Sequence, residues 1–271
     1  MRTLTRVSRI AARCTALLAA VLVVSVPTIA TAGADPNALW AIVHDKCLPD
    51  EQLHDDPAPC ALVDLSGGKD AGQQTGYAVL KDLVGNNQFL LIPTARIAGI
   101  ESPEVLAPGA ANYFDAAWRA RTFVDQRAGW SLPRDWVSLA INSADARSQN
   151  QLHIHIDCVS APVRSALNEH AGDIGRRWAP FPVPLAGHPY QAIAVEGDNL
   201  DAVNPFVALA DGVPGARGDM GSRTLVVVGT EAPDGTPGFV ILAGQVDRAT
   251  GDLAEGEELQ DHGYCPPPPA T

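Results

Sequence analysis

Gln149-Asn150-Gln151-Leu152-His153-Ile154-His155-Ile156-Asp157-Cys158 is the stretch on which the fold turns. Polar and apolar residues alternate from Gln151 to Ile156, the period of a half-buried strand. Leu152, Ile154 and Ile156 then face a core, and Gln151, His153, His155 and Asp157 share the opposite face. An imidazole is costly to desolvate without a partner, and histidine is not a strong strand former. Two of them on one face, beside an amide and a carboxylate, point to a built site.

The segments around this strand supply its neighbours. Cys60–Leu65 and Gly76–Leu83 predict strands, and Gln88–Pro93 predicts a short apolar strand stopped by proline. Asn37–His44 opens a helix, and Glu101–Pro108 is a connection. Ala110–Ala128 carries Tyr113, Ala117, Ala120 and Val124 at helical spacing and ends at Gly129. Trp136–Ile141 predicts a strand, Ser143–Gln149 a polar loop and Val163–Ala171 a helix. Gln191–Glu196, Thr224–Gly229 and Phe239–Gln245 predict further strands, the last two joined through a turn at Asp234-Gly235. Strands and helices do not alternate strictly, so the fold class is α+β, a mostly antiparallel sheet with packed helices.

With 271 residues, 46% hydrophobic and 18% charged, the chain is long and apolar enough for a sizeable core. Disorder is expected over Asp198–Gly221 and in a flexible proline-rich tail at residues 266–271. Arg2, Arg6, Arg9 and Arg13 precede an uncharged apolar run, and Ala30-Thr31-Ala32 offers a cleavage site. Residues 1–32 therefore read as a signal peptide or a retained N-terminal signal anchor, and the body as exported: membrane-associated or secreted. The net charge is −12; without the four arginines of residues 1–32 it becomes −16, which argues against general nucleic-acid binding. A phosphate ester would then need a locally polar or basic site, for which Arg96, Arg147, Arg164, Arg176 and Arg177 are candidates.

Outside the N-terminal segment the cysteines are Cys47, Cys60, Cys158 and Cys265. An even count in an exported chain predicts two disulfides, with three pairings open. The short local loop favours Cys47–Cys60, leaving Cys158–Cys265 to tie the tail to the histidine strand. His188 sits in a predicted turn, and His44, His54, His170 and His262 look like surface residues.

Three features extend the histidine strand into a known pattern. Phe89-Leu90-Leu91-Ile92-Pro93 ends in Ile-Pro, Asn142 and Gln149 precede the histidines, and a helix lies between these pieces. Together they resemble the histidine-triad superfamily, in which His-x-His-x-His lies on a strand. Leu39-Trp40, Cys47, Cys60, Leu91-Ile92-Pro93-Thr94, Gly99-Ile100-Glu101, Ser148–Cys158 and Gly187-His188-Pro189-Tyr190 narrow the match. Over roughly residues 37–265 the chain resembles the CDP-diacylglycerol pyrophosphatase family. The resemblance implies one domain over residues 33–265, a histidine-triad-like (HIT-like) fold, extended or internally duplicated.

The implied activity is hydrolysis of CDP-diacylglycerol to CMP and phosphatidate at a membrane, with no cofactor and no metal; a homodimer is compatible. His155 is the implied nucleophile, forming a CMP–histidine intermediate, and His153 contacts a phosphate oxygen or the leaving group. The tautomer of His155 would be held by a strand carbonyl. Gln149 and Asn142 are the implied amide donors to phosphate, with Arg147 as an extra cation. Two positions depart from the pattern: Asp157 stands where the superfamily has its third histidine, and Asn150 where many members carry a phosphate-binding serine. Three other readings remain: a nucleotidyl hydrolase or transferase with a soluble nucleotide substrate, a β-module binding metal through His153, His155 and a carboxylate, and a non-enzymatic lipid- or partner-binding protein.

Overall fold

Apolar runs of β-branched and aliphatic residues set the sheet. A computed structural model describes residues 35–65 and 76–268. The expected targeting segment and the last three residues of the proline-rich tail lie outside the described residues.

The strands are β1 Leu62–Asp64, β2 Tyr77–Lys81, β3 Phe89–Pro93, β4 Val137–Ile141 and β5 Ile154–Cys158. They continue with β6 Ala179–Pro180, β7 Gln191–Glu196, β8 Arg223–Glu231 and β9 Pro237–Gln245. All join one sheet in the order β1-β2-β3-β5-β4-β8-β9-β7-β6. Every pairing in it is antiparallel. The expected α+β class with an antiparallel sheet is what the chain adopts.

The helices depart from expectation in ways the chain explains. The N-terminal one runs as α1 Ala38–Ile42, a π turn over Val43–Cys47 and α2 Leu48–His54. Pro49 has no N–H and crowds the carbonyl four residues back, which a widened turn relieves. The expected Ala110–Ala128 helix begins later and is broken, as α3 Tyr113–Ala120 and α4 Thr122–Ala128. Asn112 caps α3 by accepting from the Asp115 N–H. At the break, the Arg121 guanidinium donates to the Trp118 carbonyl at 2.7 Å, taking the acceptor that a continuous helix would use. Gly129 ends α4 with φ 81°, as its position predicts. After α5 Ala161–Glu169 comes α6 Pro205–Gly212, inside the stretch expected to be disordered. There Phe206 and Leu209 are fully buried, and Phe206 packs on Phe114 with ring centroids 5.0 Å apart. A few apolar anchors order a segment whose Gly, Asp and Pro content suggests a loop. The Pro266 carbonyl accepts from Trp130 Nε1 at 2.9 Å, so the proline-rich tail starts attached.

The sheet carries three cores. One face packs on α3, α4 and α6 through Leu91, Leu139, Ile154, Ile156, Val227 and Ile241. The other face is covered twice. Val43, Cys47 and Leu48 cover Ala78, Leu80, Leu90 and Ile92. Val163 and Leu167 of α5 cover Ala140, Val226 and Val228. Strand β5 is buried on both faces, so the expected half-buried strand is corrected. Ile154 and Ile156 each contribute about 1.5–3 kcal/mol by leaving water.

Disulfides join Cys47 to Cys60 and Cys158 to Cys265, the favoured pairing. The second spans a sequence separation of 107 residues. Loops of this size lose most entropy on cross-linking. Replacing both Cys158 and Cys265 by Ser is expected to lower stability by about 2–5 kcal/mol in urea unfolding. An unchanged unfolding midpoint would contradict that weight.

Candidate active site

Between the two cores on the second face the sheet is left open, and the histidines emerge there. His155 pairs with Leu90 of β3 on one side and Ala140 of β4 on the other. Leu90 belongs to the core under the N-terminal helices, and Ala140 to the core under α5. The seam widens into a cavity of about 980 Å³. One part of its wall is apolar, from Leu39, Ile42, Pro59, Leu80, Leu83, Val84 and Leu90. The rest carries His153, His155, Gln149, Ser148, Lys81, Asp82, Glu255, Glu257, Glu258, Gln260 and His262.

The two rings meet edge to face, with centroids 4.9 Å apart. His153 stands just before β5, and its Nδ1 lies 2.7 Å from the Gln151 carbonyl, to which it donates. His155 is 5% exposed. Its Nδ1 lies 2.5 Å from Gln88 Nε2, 3.2 Å from Glu257 Oε2 and 3.9 Å from Asp82 Oδ2. Its Nε2 is enclosed and has no hydrogen-bond partner among the described residues. Among the described residues no strand carbonyl holds the His155 ring: its Nδ1 faces the Gln88 amide and the Glu257 carboxylate, and it is His153 that has a backbone carbonyl, that of Gln151. Burial is the main cause that lowers the His153 pKa from 6.5. Burial, then the charges of His153 and His262, holds His155 well below 6.5. Both rings are neutral near pH 7, which a nucleophilic lone pair requires.

Asp157, on the same face, has no exposed surface. Its Oδ1 accepts the Cys158 N–H at 2.8 Å, and its Oδ2 lies 3.1 Å from His262 Nδ1. That hydrogen bond is the main cause raising the His262 pKa above 6.5. His262 is therefore half-buried in the site, not at the surface as its sequence context suggests. The segment bearing it is laid along the end of β5 by a bridge between Val159 and Gln260 and by Asp261 N donating to the Cys158 carbonyl.

The other expected residues are near but engaged. Asn142 Nδ2 donates to Glu257 Oε1 at 2.7 Å, and Asn142 Oδ1 accepts the Glu257 N–H. It holds Glu257 rather than lining the cavity. Gln149 lines the cavity while its amide accepts from Leu39 N and donates to the Asp35 carbonyl. Asn150 is exposed, and its backbone N–H donates to the Pro36 carbonyl. Arg147 pairs with Glu101 at 2.6 Å, outside the cavity lining. Arg96 contacts Asn37, Arg164 contacts Asp135 and Arg176 contacts Glu196. The lysine at the cavity is Lys81, whose ammonium donates to the carbonyls of Asp82 and Gly85. Sequence reasoning passed over Lys81, Asp82, Gln88, Glu257 and His262.

His155, Glu257 and Asp82 are donors of types that bind divalent cations. Among the described residues, however, the one group of three donors close enough to share an ion is Asp157, Cys158 and Cys265. Both of its sulfurs are spent in the disulfide.

The shifts carry opposite signs. His153 and His155 have lowered pKa values, so their contribution to stability is complete above pH 6.5 and is lost as pH falls through the folded values. His262 is raised, so its contribution is present below pH 6.5 and is lost as pH rises through its folded value. In an NMR titration of the imidazoles, His262 is expected more than half protonated at pH 6.5 while His155 is neutral. A His155 midpoint at or above 6.5 would overturn this assignment.

The chain is similar to known proteins over most of its length. The family model described as "CDH: CDP-diacylglycerol pyrophosphatase" matches residues 34–266. A protein of Yersinia pestis described as "CDP-diacylglycerol pyrophosphatase" is 42% identical over 226 residues, covering 83% of each chain. The chain belongs to the CDP-diacylglycerol pyrophosphatase family.

Proposed function

We propose that this member of the family is a hydrolase that cleaves CDP-diacylglycerol to CMP and phosphatidate on a HIT-like sheet, through a CMP–His155 intermediate. One observation carries the reading: a single cavity joins an apolar wall to a pair of neutral histidines. A nucleotide joined to acyl chains through a pyrophosphate has the same division. The apolar wall from Leu39 to Val84 takes the lipid side, and the polar wall takes the phosphates. A soluble nucleotide would leave the apolar wall without a partner, which disfavours that substrate class.

The chemistry follows from the two nitrogens of His155. With the Gln88 amide turned so that its Oε1, otherwise without a partner, meets the ring, the tautomer with its proton on Nδ1 donates to that oxygen and to Glu257 and leaves the Nε2 lone pair unspent. A buried ring nitrogen without a partner is a standing cost of about 1–3 kcal/mol, which the electrophilic phosphorus relieves. Nε2 bonds to the CMP phosphorus as the bond to phosphatidate breaks. Phosphatidate departs as a stable phosphate anion. Glu257 at Nδ1 offsets the positive charge on the nucleotidylated ring. Water then forms a bond to the same phosphorus, the P–N bond breaks, and CMP leaves. Lys81 supplies positive charge opposite the phosphates.

A second reading assigns the attack to His153, because its Nδ1 is held by the Gln151 carbonyl, the tether that frees Nε2 for nucleophilic work. Mapping the residue that carries CMP by mass spectrometry after brief exposure to substrate separates the two. Residues 1–32 are proposed to export the body and bring it to a membrane. No helix among the described residues is long and apolar enough to cross one.

Replacing His155 by Ala is expected to lower CMP release by about 10⁴-fold or more while the fold persists. Retained activity sinks the nucleophile assignment. Leu83 is fully exposed and Val84 largely so, at the cavity's apolar edge. The double variant Leu83→Ser/Val84→Ser is expected to raise KM for CDP-diacylglycerol in mixed micelles about tenfold, a change of about 1.4 kcal/mol. Hydrolysis of a CDP-alcohol without acyl chains is expected to change less than twofold. Equal losses on both substrates remove the apolar wall from the lipid-binding role.

A further inference from the structure

The water that clears a CMP–histidine must lose a proton as it attacks, and His155 is already bonded to phosphorus at that stage. Of the two remaining imidazoles in the cavity, His153 is backed by a neutral carbonyl, that of Gln151. His262 is backed by a carboxylate, Asp157 Oδ2 at 3.1 Å from Nδ1. A carboxylate both selects the tautomer with Nδ1 protonated and stabilises the imidazolium that forms when Nε2 takes a proton. Asp157 is wholly buried and rigidly held, with its other oxygen on the Cys158 N–H. The backbone of His262 is held too, because its carbonyl accepts from Asn86 N at 2.8 Å. The ring lines the same cavity as His155 and is 31% exposed, so water reaches it.

We propose that His262, oriented by Asp157, is the base that takes the proton from the water releasing CMP. This rests on the covalent reading above. As the water oxygen bonds to phosphorus, its proton passes to His262 Nε2. The P–N bond breaks and its electron pair returns to His155. CMP leaves, and the His262 imidazolium gives its proton to solvent. Asp157 is a positioning residue in this scheme. The charged and titratable groups facing His262 are Asp157 and His155 of β5, Glu257, and Asp82 with Lys81 at the end of β2. The carboxylates, Asp157 first, hold the ring above its ordinary pKa of 6.5. The base must be neutral, so the acid limb of CMP release follows His262, and Asp157→Asn moves that limb to lower pH.

The test is a rapid-quench experiment with CDP-diacylglycerol labelled in the cytidine. His262→Ala is expected to release one equivalent of phosphatidate per enzyme within about threefold of the wild-type rate. Its steady turnover then falls about 100-fold or more, and labelled CMP accumulates on the protein. Added imidazole is expected to restore turnover, which a misfolded variant would not allow. Turnover within threefold of wild type, or a burst slowed as much as turnover, overturns the proposal. An unmoved acid limb in Asp157→Asn overturns the role of Asp157. Two further outcomes separate this proposal from the reading beneath it. If no labelled protein forms in any variant, yet His262→Ala is slow and rescued by imidazole, the covalent step fails and the proton role stands. Equal labelling and equal turnover in wild type and His262→Ala support the covalent step and remove the base.

Discussion

The burial of polar side chains on β5 is the constraint on which the rest depends. That strand lies between β3 and β4 with every residue buried, yet one face carries His155 and Asp157. Burial of such groups is tolerated only if each is neutral or hydrogen-bonded. The chain meets that condition by drawing in partners from distant segments. Gln88 and Glu257 come to His155, and His262 comes to Asp157. Gln260 reinforces the arrangement, its amide donating to the carbonyls of Ser138 and His155 and so tying β4, β5 and the C-terminal segment together. The site is thus what the sheet needs in order to keep polar groups in its middle.

The C-terminal segment contributes most of those partners and has almost no regular structure. It is held as a third party to β5 by the Cys158–Cys265 disulfide, the bridge at Gln260 and the hydrogen bond from Asp261. The disulfide lies one residue from Asp157 and three from His262, so the cross-link and the imidazole–carboxylate pair reinforce one another. Stability and site geometry rest on the same covalent tie. On the other side of the cavity, the amide of Gln149 tethers Asp35 and Leu39 of the N-terminal segment. The polar loop ending at Gln149 therefore also seats the helix that gives Leu39 and Ile42 to the apolar wall.

What was legible in the sequence follows from the range of the signal. Alternation along Gln151–Ile156 is local, and it located the strand and its two histidines. Pro93, Gly129 and the Asp234-Gly235 turn act within a few residues, and the element ends they set stand where expected. Glu257 and Gln88 were not legible, because their approach to His155 depends on cross-strand register and a long loop that no periodicity encodes. His262 was within reach: once Cys158 is paired with Cys265, a histidine three residues from the cross-link must lie near Asp157. Polarity and position near a proline-rich tail hid it as a surface residue. Arg147 illustrates the opposite error, since a cation at the right spacing is spent on Glu101. Asn142 is intermediate: its place beside the histidines was foreseen, but its amide grips Glu257.

The cavity carries several carboxylates, and the arrangement engages them locally. Asp157 is hydrogen-bonded to His262, and Glu257 is shared between Asn142 and His155. Asp82 accepts from the Val84 N–H, which turns one of its oxygens toward its own loop. Lys81 spends its hydrogens on the carbonyls of Asp82 and Gly85, so its charge is oriented without being cancelled by a contacting carboxylate. Attraction between unit charges falls steeply with distance and with the effective dielectric, so contacting partners outweigh the −16 of the body as a whole. The negative surface repels anions at long range. On the proposed reading, the apolar wall beside the histidines favours, among anionic nucleotides, those whose other end gains by leaving water.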